Sequence, residues 1–516
     1  MRNEERKMGI KLTMLILFFA VMVAVGVYAR KHTNSVDGFV LGGRSVGPWL
    51  TAFAYGTSYF SAVVFVGYAG QFGWKYGLAS TWIGLGNAVI GSLLAWVVLG
   101  RRTKVMTRHL KSKTMPDFFG ERYESKALKL AASAIVFVFL VPYTASIYNG
   151  LSRLFEMAFH VPYTWCVIAM AVFTGIYVIL GGYMATAIND FIQGIIMLGG
   201  IIAVIAAVLS GQGGFMEAVR KMAEIPSDVE VTLGQPGAFT SFFGPDPLNL
   251  LGVVILTSLG IWGLPQMIGK FYAIKDEKSI NTGTVISTIF AVIISGGCYF
   301  LGGFGRLFDS PAVYDEAGNV VFDSIIPYML SGLSDVLIGI VVVLVLSASM
   351  STLASLVLTS SSTLTLDFLK GNLLKHADDK KLVRAMQMLI VFFIAVSVVL
   401  AVNPPTFIAQ LMGISWGALA GAFLAPFLYG LYWKRVTKAA VWASFIIGVG
   451  ITVSNMFLHY IESSINAGAA AMLAGLIVVP AVSVLTPKPD AQRMEELFSC
   501  YEEKVTITKK RSLETK

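Results

Sequence analysis

The sequence predicts an all-α integral membrane protein with about thirteen transmembrane helices. Of its 516 residues, 56% are hydrophobic and only 13% are charged, whereas soluble globular proteins carry about 25% charged residues. The mean hydropathy is +0.72. Apolar runs of roughly 18 to 25 residues recur along the whole chain, and each is long enough to cross the hydrocarbon core of a bilayer as a helix. The short alternating segments of a membrane β-barrel are not visible.

The apolar runs place the predicted helices near residues 10, 50, 80, 127, 162, 187, 248, 282, 326, 385, 407, 439 and 468. No linker divides them, so residues 1–486 are predicted to form one transmembrane domain. Its parts are a peripheral first helix at 1–30, a ten-helix core at 45–435 and peripheral helices at 436–486. The first helix is expected to be retained, because its apolar stretch is long and lacks a small-residue cleavage site. Residues 487–516 are polar, and we expect a solvated cytoplasmic tail.

The Lys and Arg residues of the chain are distributed unevenly between the two predicted sides of the membrane. If the N-terminus lies outside, the inward-facing segments carry 30 of the 39 Lys and Arg residues. The richest inner segment, 101–129, includes Arg101, Arg102 and Lys104. This positive-inside bias predicts a multi-pass protein of the cell membrane with its N-terminus outside and its C-terminus in the cytoplasm. The net charge of +9 therefore does not indicate a nucleic-acid partner.

Three segments depart from plain apolar helices. They are "AYGTSYFSAVV" in the second span, "LTSLGIWGLPQ" in the seventh and the hydroxyl-rich "SASMSTLASLVLTSSSTLTLD" in the ninth. From residue 50 onward, spans two to six and seven to eleven make two sets of five, and a glycine-interrupted helix comes first in each set. Interrupted spans at corresponding positions of two halves are the best sequence pointer to the binding site of a transporter.

The interrupted second span and the ninth span together predict a cation site. A sodium ion needs about five or six oxygen ligands, and within a bilayer the protein must supply them. A broken helix frees backbone carbonyls such as those of Thr57 and Phe60. Hydroxyl groups at i, i+4 and i+8 lie on one face of the ninth span, and they belong to Ser347, Ser351 and Ser355, with Thr352 beside them. Each serine alone equally fits helix packing or a bond to its own i−4 carbonyl, but the whole run favours the site.

Asp190, in "GGYMATAINDFIQG", is the one acidic residue near the start of a buried span. An ionisable group inside the membrane is a functional candidate. An acid in the first helical turn, stabilised by the helix dipole, explains it equally well. No HExxH or P-loop motif occurs, so the sequence does not predict an enzyme.

Several ordered motifs resemble the sodium/solute symporters, and the sodium/proline symporter branch in particular. They include "DGFVLGGRSVGPWLTAFAYGTSYFSA", "GGYMATAINDFIQ" and "SASMSTLAS", and the likeness extends from about residue 35 to 445. The resemblance implies two inverted five-helix repeats of the LeuT type with discontinuous helices, plus peripheral helices. It also implies sodium-driven uptake by alternating access.

The resemblance further implies a sodium site. Its ligands would be the carbonyls of Thr57, Phe60 and Ala348 and the hydroxyls of Ser351 and Thr352. Asp190 and Ser355 match residues that form a second sodium site or an exit path in some relatives. Ala354 stands where those relatives have another serine, so a second sodium is not expected.

The predicted substrate pocket departs more from the proline branch than the predicted sodium site does. Its candidates are Ser58, Tyr59, Ser61, Tyr143, Ile261, Trp262 and Pro265. Thr257 and Ile261 replace a tryptophan and a tyrosine of that branch, and Tyr59 replaces an aspartate. Trp262 is more typical of packing than of binding. We therefore expect a solute other than proline, with another amino acid or a small carboxylate ahead of a sugar.

The leading hypothesis is a secondary active transporter that carries Na⁺ and a small polar organic solute inward together. Na⁺ is the coupling ion, no organic cofactor is predicted, and the expected partners are the solute, Na⁺ and the lipid bilayer, with no obligate protein partner. Proton coupling through Asp190 is the alternative within this class. A transporter-like sensor would need a signalling domain. A passive channel is disfavoured by the broken helices at the midplane.

Overall fold

The computed structural model of the protein describes residues 2–159 and 161–502. In this part of the chain, the backbone is helical apart from turns, loops and two isolated β-bridges. The first ten helices are α1 (Arg2–Ala29), α2 (Val36–Leu41), α3 (Pro48–Tyr59), α4 (Ala69–Tyr76), α5 (Thr81–Gly86), α6 (Arg101–His109), α7 (Met115–Arg122), α8 (Lys126–Phe159), α9 (Tyr163–Gly211) and α10 (Phe215–Glu224).

The remaining helices are α11 (Pro247–Leu259), α12 (Pro265–Ala273), α13 (Glu277–Gly302), α14 (Phe322–Ser331), α15 (Asp335–Thr363), α16 (Lys370–Asn372), α17 (Asp379–Val402), α18 (Ile408–Tyr432), α19 (Lys438–Leu458), α20 (Ser464–Leu485) and α21 (Ala491–Ser499). Helical segments of π type lie at Val63–Tyr68, Asn87–Leu94, Trp96–Gly100 and Leu364–Leu369. The prediction of an all-α chain with many apolar spans is confirmed.

Ten helical segments of the described chain are long and apolar enough to cross a membrane, or eleven if the bent pair α11 and α12 counts as one span. Two of the ten, Val63–His109 and α9, are 47 and 49 residues long. About 20 residues suffice for one crossing. Each long segment contains a glycine with positive φ, Gly77 at +59° and Gly182 at +52°. A side chain at Gly182 would also meet Phe39, so both the conformation and the space there require glycine.

The structure breaks two helices where the sequence predicts interruptions. Helix α3 ends at Tyr59, and Phe60 is extended (φ −110°, ψ 100°) before the π-helical segment that leads into α4. In the seventh span, Leu264 is extended (φ −87°, ψ 120°) and the chain bends by 47° between α11 and α12. Pro265 begins α12, where its missing amide costs no hydrogen bond. Helix α15 packs against α3 and α12, so it passes both broken spans.

The ninth span begins later than the sequence predicts. Near residue 326 the chain forms the separate short helix α14, and the span α15 starts only at Asp335. Gly332 ends α14, and the extended backbone of Ser334 (φ −62°, ψ 152°) separates the two helices. The apolar residues of α14 lie against α4 and the Val63–Tyr68 segment. Their hydrophobicity therefore reflects burial against protein.

The loop after α9 contains the short helix α10, which covers the segment "FMEAVRKMAE". The predicted solvated tail differs from the structure in its first part. Helix α21 buries Met494, Leu497 and Phe498 against the body of the protein, and Arg122 reaches the Met494 sulfur at 3.3 Å. An apolar stripe of three residues on a mostly polar helix was sufficient for docking. Residues 503–516 of the predicted tail lie outside the described residues.

Candidate functional site

Hydroxyl groups of α15 meet backbone carbonyls at the break that ends α3. Ser351 Oγ lies within hydrogen-bond distance of two carbonyls, that of Thr57 at 3.0 Å and that of Ala348 at 3.1 Å. Thr352 Oγ1 lies 3.2 Å from the Thr57 carbonyl and 3.1 Å from that of Ala348. All four residues are buried. Because α3 stops two residues after Thr57, its carbonyl is free of the helical ladder and accepts from another helix.

The structure therefore brings together four of the five residues predicted to bind sodium. The fifth, Phe60, lies at the break itself, where its amide donates to the Gly56 carbonyl at 3.2 Å. Its extended backbone takes its own carbonyl out of helical alignment. Oxygen atoms from a broken helix and from α15 thus converge within one buried cluster, which we call the hydroxyl cluster: Thr57, Ala348, Ser351 and Thr352.

A second polar cluster lies beside the first and contains a residue that the sequence analysis did not single out. Lys270 of α12 donates to Ser355 Oγ at 2.9 Å, and its Nζ lies 3.7 Å from Asp190 Oδ2. Ser355 Oγ is also 2.8 Å from Ser58 Oγ. The Lys270 side chain is 3% exposed and that of Asp190 is 0% exposed. These four residues, from α3, α9, α12 and α15, form the ion-pair cluster.

The position of Asp190 in its helix distinguishes a functional role from that of an acid in the first helical turn. Asp190 lies eight residues beyond the Gly182 break, within a continuous helical stretch rather than in its first turn. The helix dipole acts mainly on the first and last turns. The pairing with a buried lysine therefore explains Asp190 better than a helix-start role does.

Lys270 could have been found from the sequence. It stands four residues after the "GLPQ" break, within span length of the start of the seventh apolar run. The rule that singled out Asp190, that an ionisable residue inside the membrane is a functional candidate, applies equally to a lysine there. The sequence does not show that Lys270 pairs with Asp190, because the two residues are 80 positions apart and lie on different helices.

Two of the predicted solute residues belong to an aromatic cluster. The Tyr59 ring stacks on Phe60 at 4.2 Å and on Trp416 at 6.2 Å, and Tyr143 meets Trp416 edge-on at 5.9 Å. Tyr143 Oη and Trp416 Nε1 are buried without a hydrogen-bond partner among the described residues. Trp416 of α18 was not predicted, because a tryptophan in an apolar span gives no local sign of its neighbours.

The other predicted solute residues are more dispersed. Trp262 Nε1 donates to the Ile90 carbonyl at 3.0 Å, which agrees with the packing interpretation of this residue. Ser61 Oγ accepts from the amide of Val63 at 3.2 Å and so supports the start of the next helical segment. Ser58 lies in the ion-pair cluster. Ile261 is buried in the turn between α11 and α12, and Pro265 begins α12.

A cleft leads from the protein surface to the ion-pair cluster. It runs between α2, α9, α12 and α15, and its wall includes Lys113, Tyr183, Gln266, Lys270 and Ser355. Lys113 belongs to the basic segment 101–129, so the cleft opens at the end of the molecule where that segment lies. The Gln266 amide is buried along this wall without a hydrogen-bond partner among the described residues. The cleft thus reaches Lys270 and Ser355 of the ion-pair cluster.

Where α14 packs on α4, a buried acid ties two elements together. Asp323 Oδ2 accepts from the Ile408 amide at the start of α18 at 3.2 Å. Burial raises the pKa of Asp323 from 3.8 to about 6, and the Ile408 hydrogen bond and the charge of Arg153 only partly offset this.

Asp323 is expected to make the protein less stable as the pH rises from 4 to 6. The folded protein holds the Asp323 proton more tightly than the unfolded chain, so this contribution is largest below about pH 4 and is lost as the pH passes 6. A shift of about two units corresponds to about 3 kcal/mol. Thermal melts of the purified protein and of Asp323→Asn from pH 4 to 7 measure the effect. Equal pH slopes for the two proteins would contradict it.

The sequence resembles known transport proteins over most of its length. The model of the sodium:solute symporter family matches residues 39–448. The osmoregulated proline transporter of Bacillus subtilis (strain 168) is 28% identical over 502 residues, which cover 94% of this chain and 96% of that protein. A sodium/proline symporter of Staphylococcus aureus (strain JH9) is 30% identical over 503 residues, with 93% of each chain covered.

Among solved structures, the substrate-bound outward-open state of a Na⁺-coupled sialic acid symporter has a similar fold. The TM-score is 0.76, and the match covers 93% of this chain and 98% of that one. The sequences are 16% identical, so this likeness concerns the fold.

Proposed function

Since this chain belongs to the sodium:solute symporter family, we propose that it is a secondary active transporter that couples the entry of Na⁺ to the uptake of a small polar organic solute. The relatives that it matches are transporters, in agreement with the prediction that it is not an enzyme. The observation that carries the proposal is the contact of the Ser351 and Thr352 hydroxyls with the Thr57 carbonyl, at 3.0 and 3.2 Å.

The composition of the hydroxyl cluster suits a sodium ion that must be released again. Its ligands would be the carbonyls of Thr57, Phe60 and Ala348 and the hydroxyls of Ser351 and Thr352. Five neutral oxygens match the ligand type of a hard cation, and the absence of a carboxylate from this set keeps the binding moderate. Since Thr57 and Ser351 lie on different helices, a bound Na⁺ would hold α3 against α15. Loss of Na⁺ would allow the two helices to separate, as alternating access requires.

The proposed architecture rests on the glycine breaks and the interrupted spans. We infer thirteen crossings, with Val63–His109 and α9 each turning back at its glycine, and two inverted sets of five that begin with the broken spans. The two interruptions support this arrangement, because each comes first in its set. The proposed orientation has the N-terminus outside and the C-terminus in the cytoplasm of the cell membrane, on the basis of the basic inner segments.

An amino acid or a small carboxylate is the proposed solute class. Relatives at 28 to 30% identity are named for proline transport, which supports an amino-acid-sized pocket. Tyr143 Oη and Trp416 Nε1 are two buried donors beside the broken helix, and such groups suit the oxygen atoms of a carboxylate. Thr257 and Ile261 provide less ring surface than the proline branch has at these positions. The pocket is therefore expected to differ in shape from that of the proline symporters. For this reason we rank proline below other amino acids as the expected solute.

Ile261→Ala is expected to change the half-saturation of the solute and to leave that of Na⁺ unaltered. The substitution removes buried methylene groups from the turn between the halves of the seventh span, while the hydroxyl cluster is untouched. A thermal-shift screen of amino acids, carboxylates and sugars, with and without Na⁺, first identifies the solute. Uptake in proteoliposomes then gives both half-saturation values, and Ile255→Ala, elsewhere in the same span, serves as control. Micromolar saturable proline uptake by the unmodified protein would overturn the expected solute choice.

Counterflow in proteoliposomes at varied Na⁺ and pH tests the function as a whole. Exchange that requires Na⁺ and is insensitive to a pH gradient supports sodium symport. Exchange driven by pH without Na⁺ supports proton coupling, for which the buried Asp190–Lys270 pair is the specific observation. Binding without exchange would indicate a transporter-like sensor.

Asp190→Asn is expected to slow Na⁺-driven uptake more than it weakens solute binding. The substitution removes the carboxylate beside Lys270 but leaves the hydroxyl cluster and the aromatic cluster unchanged. Initial uptake rates and solute binding are measured on the same preparations, with Asp323→Asn as a control for removing another buried acid. A proton-coupled carrier would lose its pH dependence instead. A fully active, normally coupled variant would return Asp190 to a structural role.

A further inference from the structure

The ion-pair cluster contains its own positive charge. We propose that the Lys270 ammonium is a tethered cation that fills the second cation position beside Asp190 and Ser355, so that a single Na⁺ accompanies each solute. The inference rests on the proposed sodium symport and concerns its stoichiometry.

The contacts of Lys270 are those that a bound cation would make. Its Nζ lies 2.9 Å from Ser355 Oγ and 3.7 Å from Asp190 Oδ2, and it faces the Tyr183 ring at 5.3 Å from the ring centre. Asp190 is fully buried, and its carboxylate has no hydrogen-bond partner among the described residues. A buried carboxylate in this position needs a positive charge beside it. The Lys270 ammonium can supply that charge without exchanging with solution, because it is tethered to the chain.

A second Na⁺ would compete with this ammonium for the same oxygens. Two unit positive charges about 4 Å apart repel strongly even at an intermediate dielectric, enough to weaken binding roughly 1000-fold. The neighbouring position 354 is an alanine and offers no hydroxyl to compensate. The single carboxylate of the cluster is therefore balanced by Lys270 alone.

The tethered cation is connected to the hydroxyl cluster by a continuous chain of polar contacts. Ser355, which accepts from Lys270, is 2.8 Å from Ser58 Oγ. The carbonyl of Ser58 in turn lies 3.4 Å from Thr352 Oγ1. The ammonium thus holds α12, α9 and α15 together and supports the broken end of α3. The tethered ammonium stays at this position throughout, whereas a second, exchangeable Na⁺ would hold these helices together only while it is bound.

The stoichiometry of the unmodified transporter is the first test. The purified full-length protein is reconstituted, and radioactive Na⁺ and solute uptake are measured together. We expect a Na⁺ activation curve with a Hill coefficient of about 1 and one Na⁺ per solute, against about 2 for a carrier with two cation sites. Two Na⁺ per solute would overturn the tethered cation and leave sodium symport intact. Uptake indifferent to Na⁺ would reject the proposed function itself.

Lys270→Met is the second test, because it removes the charge at similar side-chain length. We expect the Hill coefficient to rise toward 2, since the freed oxygens of Asp190 and Ser355 accept a second Na⁺. Lys270→Arg keeps the charge and is expected to stay near 1. Lys104→Met removes another buried lysine, which lies outside the cluster with its Nζ 3.4 Å from the Tyr272 carbonyl, and serves as matched control.

The outcome is decided even if Lys270→Met does not transport. Equilibrium binding of radioactive Na⁺ to the purified protein counts sites directly. One site in the unmodified protein and two in Lys270→Met support the proposal. A single site in both proteins would show that the oxygens beside Lys270 form no cation position, and two sites in the unmodified protein would show that Lys270 does not fill it. Either result would overturn the inference.

Discussion

Alanine in place of Ser351 or Thr352 is expected to lower the apparent Na⁺ affinity of transport at least tenfold while expression is preserved. Each substitution removes one oxygen that meets the Thr57 carbonyl, and the surrounding lipid and apolar side chains offer no replacement. A hydrogen bond or ligand contact to a charged group contributes about 1.5–3 kcal/mol, which corresponds to about 10- to 150-fold in affinity. Initial uptake rates over a wide range of Na⁺ concentrations, at a fixed solute concentration, measure the effect.

Helix α15 itself offers a matched control. Ser349 is buried like Ser351, but its hydroxyl donates to its own i−4 carbonyl, that of Val345, at 2.6 Å. Ser349→Ala is therefore expected to leave the Na⁺ affinity within about twofold of the unmodified protein, because no residue of α3 loses a contact. If both Ser351→Ala and Thr352→Ala behave like Ser349→Ala, these hydroxyls serve packing between α3 and α15, and the sodium site lies elsewhere.

Reconstituted protein is expected to concentrate a neutral solute about 500-fold when driven by one Na⁺. One inward charge at 100 mV contributes about 2.3 kcal/mol, and a tenfold Na⁺ gradient adds about 1.4 kcal/mol. Proteoliposomes with a potassium diffusion potential and an inward Na⁺ gradient measure the accumulation ratio. Removal of the potential alone is expected to leave only about tenfold accumulation, since only the concentration gradient then remains.

This measurement separates the hypotheses for the function. Accumulation that responds to the Na⁺ gradient and to the potential supports electrogenic sodium symport. Equilibration without accumulation under both driving forces would indicate a passive pathway. Accumulation that follows an imposed pH gradient in Na⁺-free buffer would show that the coupling ion is a proton. Ser351→Ala, measured at a Na⁺ concentration below its raised half-saturation, is the internal control for coupling through the hydroxyl cluster.

Much of the candidate sodium site could be predicted because its signals are local. The glycine and hydroxyl residues around Thr57 are contiguous, and Ser351 and Thr352 are adjacent, so a single turn of helix places each set. The broken spans were predicted for the same reason, since Gly260, Gly263 and Pro265 disfavour a continuous helix within a few residues. The contact of the second span with the ninth at the hydroxyl cluster was an expectation, and the distances of 3.0 and 3.2 Å to the Thr57 carbonyl agree with it.

Features whose partners are distant in the chain could not be predicted. Apolar composition indicates burial but does not distinguish lipid from protein, so helix α14 was merged with the ninth span and helix α21 was assigned to a solvated tail. The edge-on contact of Tyr143 with Trp416 joins α8 to α18, and no periodicity links the two residues. Ser58 was predicted to bind the solute, and the contact of its hydroxyl with Ser355 could not be predicted.

The sequence by itself determined a helical membrane protein with two interrupted spans and a hydroxyl-rich helix, because hydropathy and helix breakers act over short stretches of chain. Only the tertiary structure decided which charges meet. The pairing of Lys270 with Asp190 depends on how α12 crosses α9, and the contact of both with Ser355 depends on the position of α15 between them. A buried charge is stable only beside its partner, and the location of that partner is a property of the packed helices.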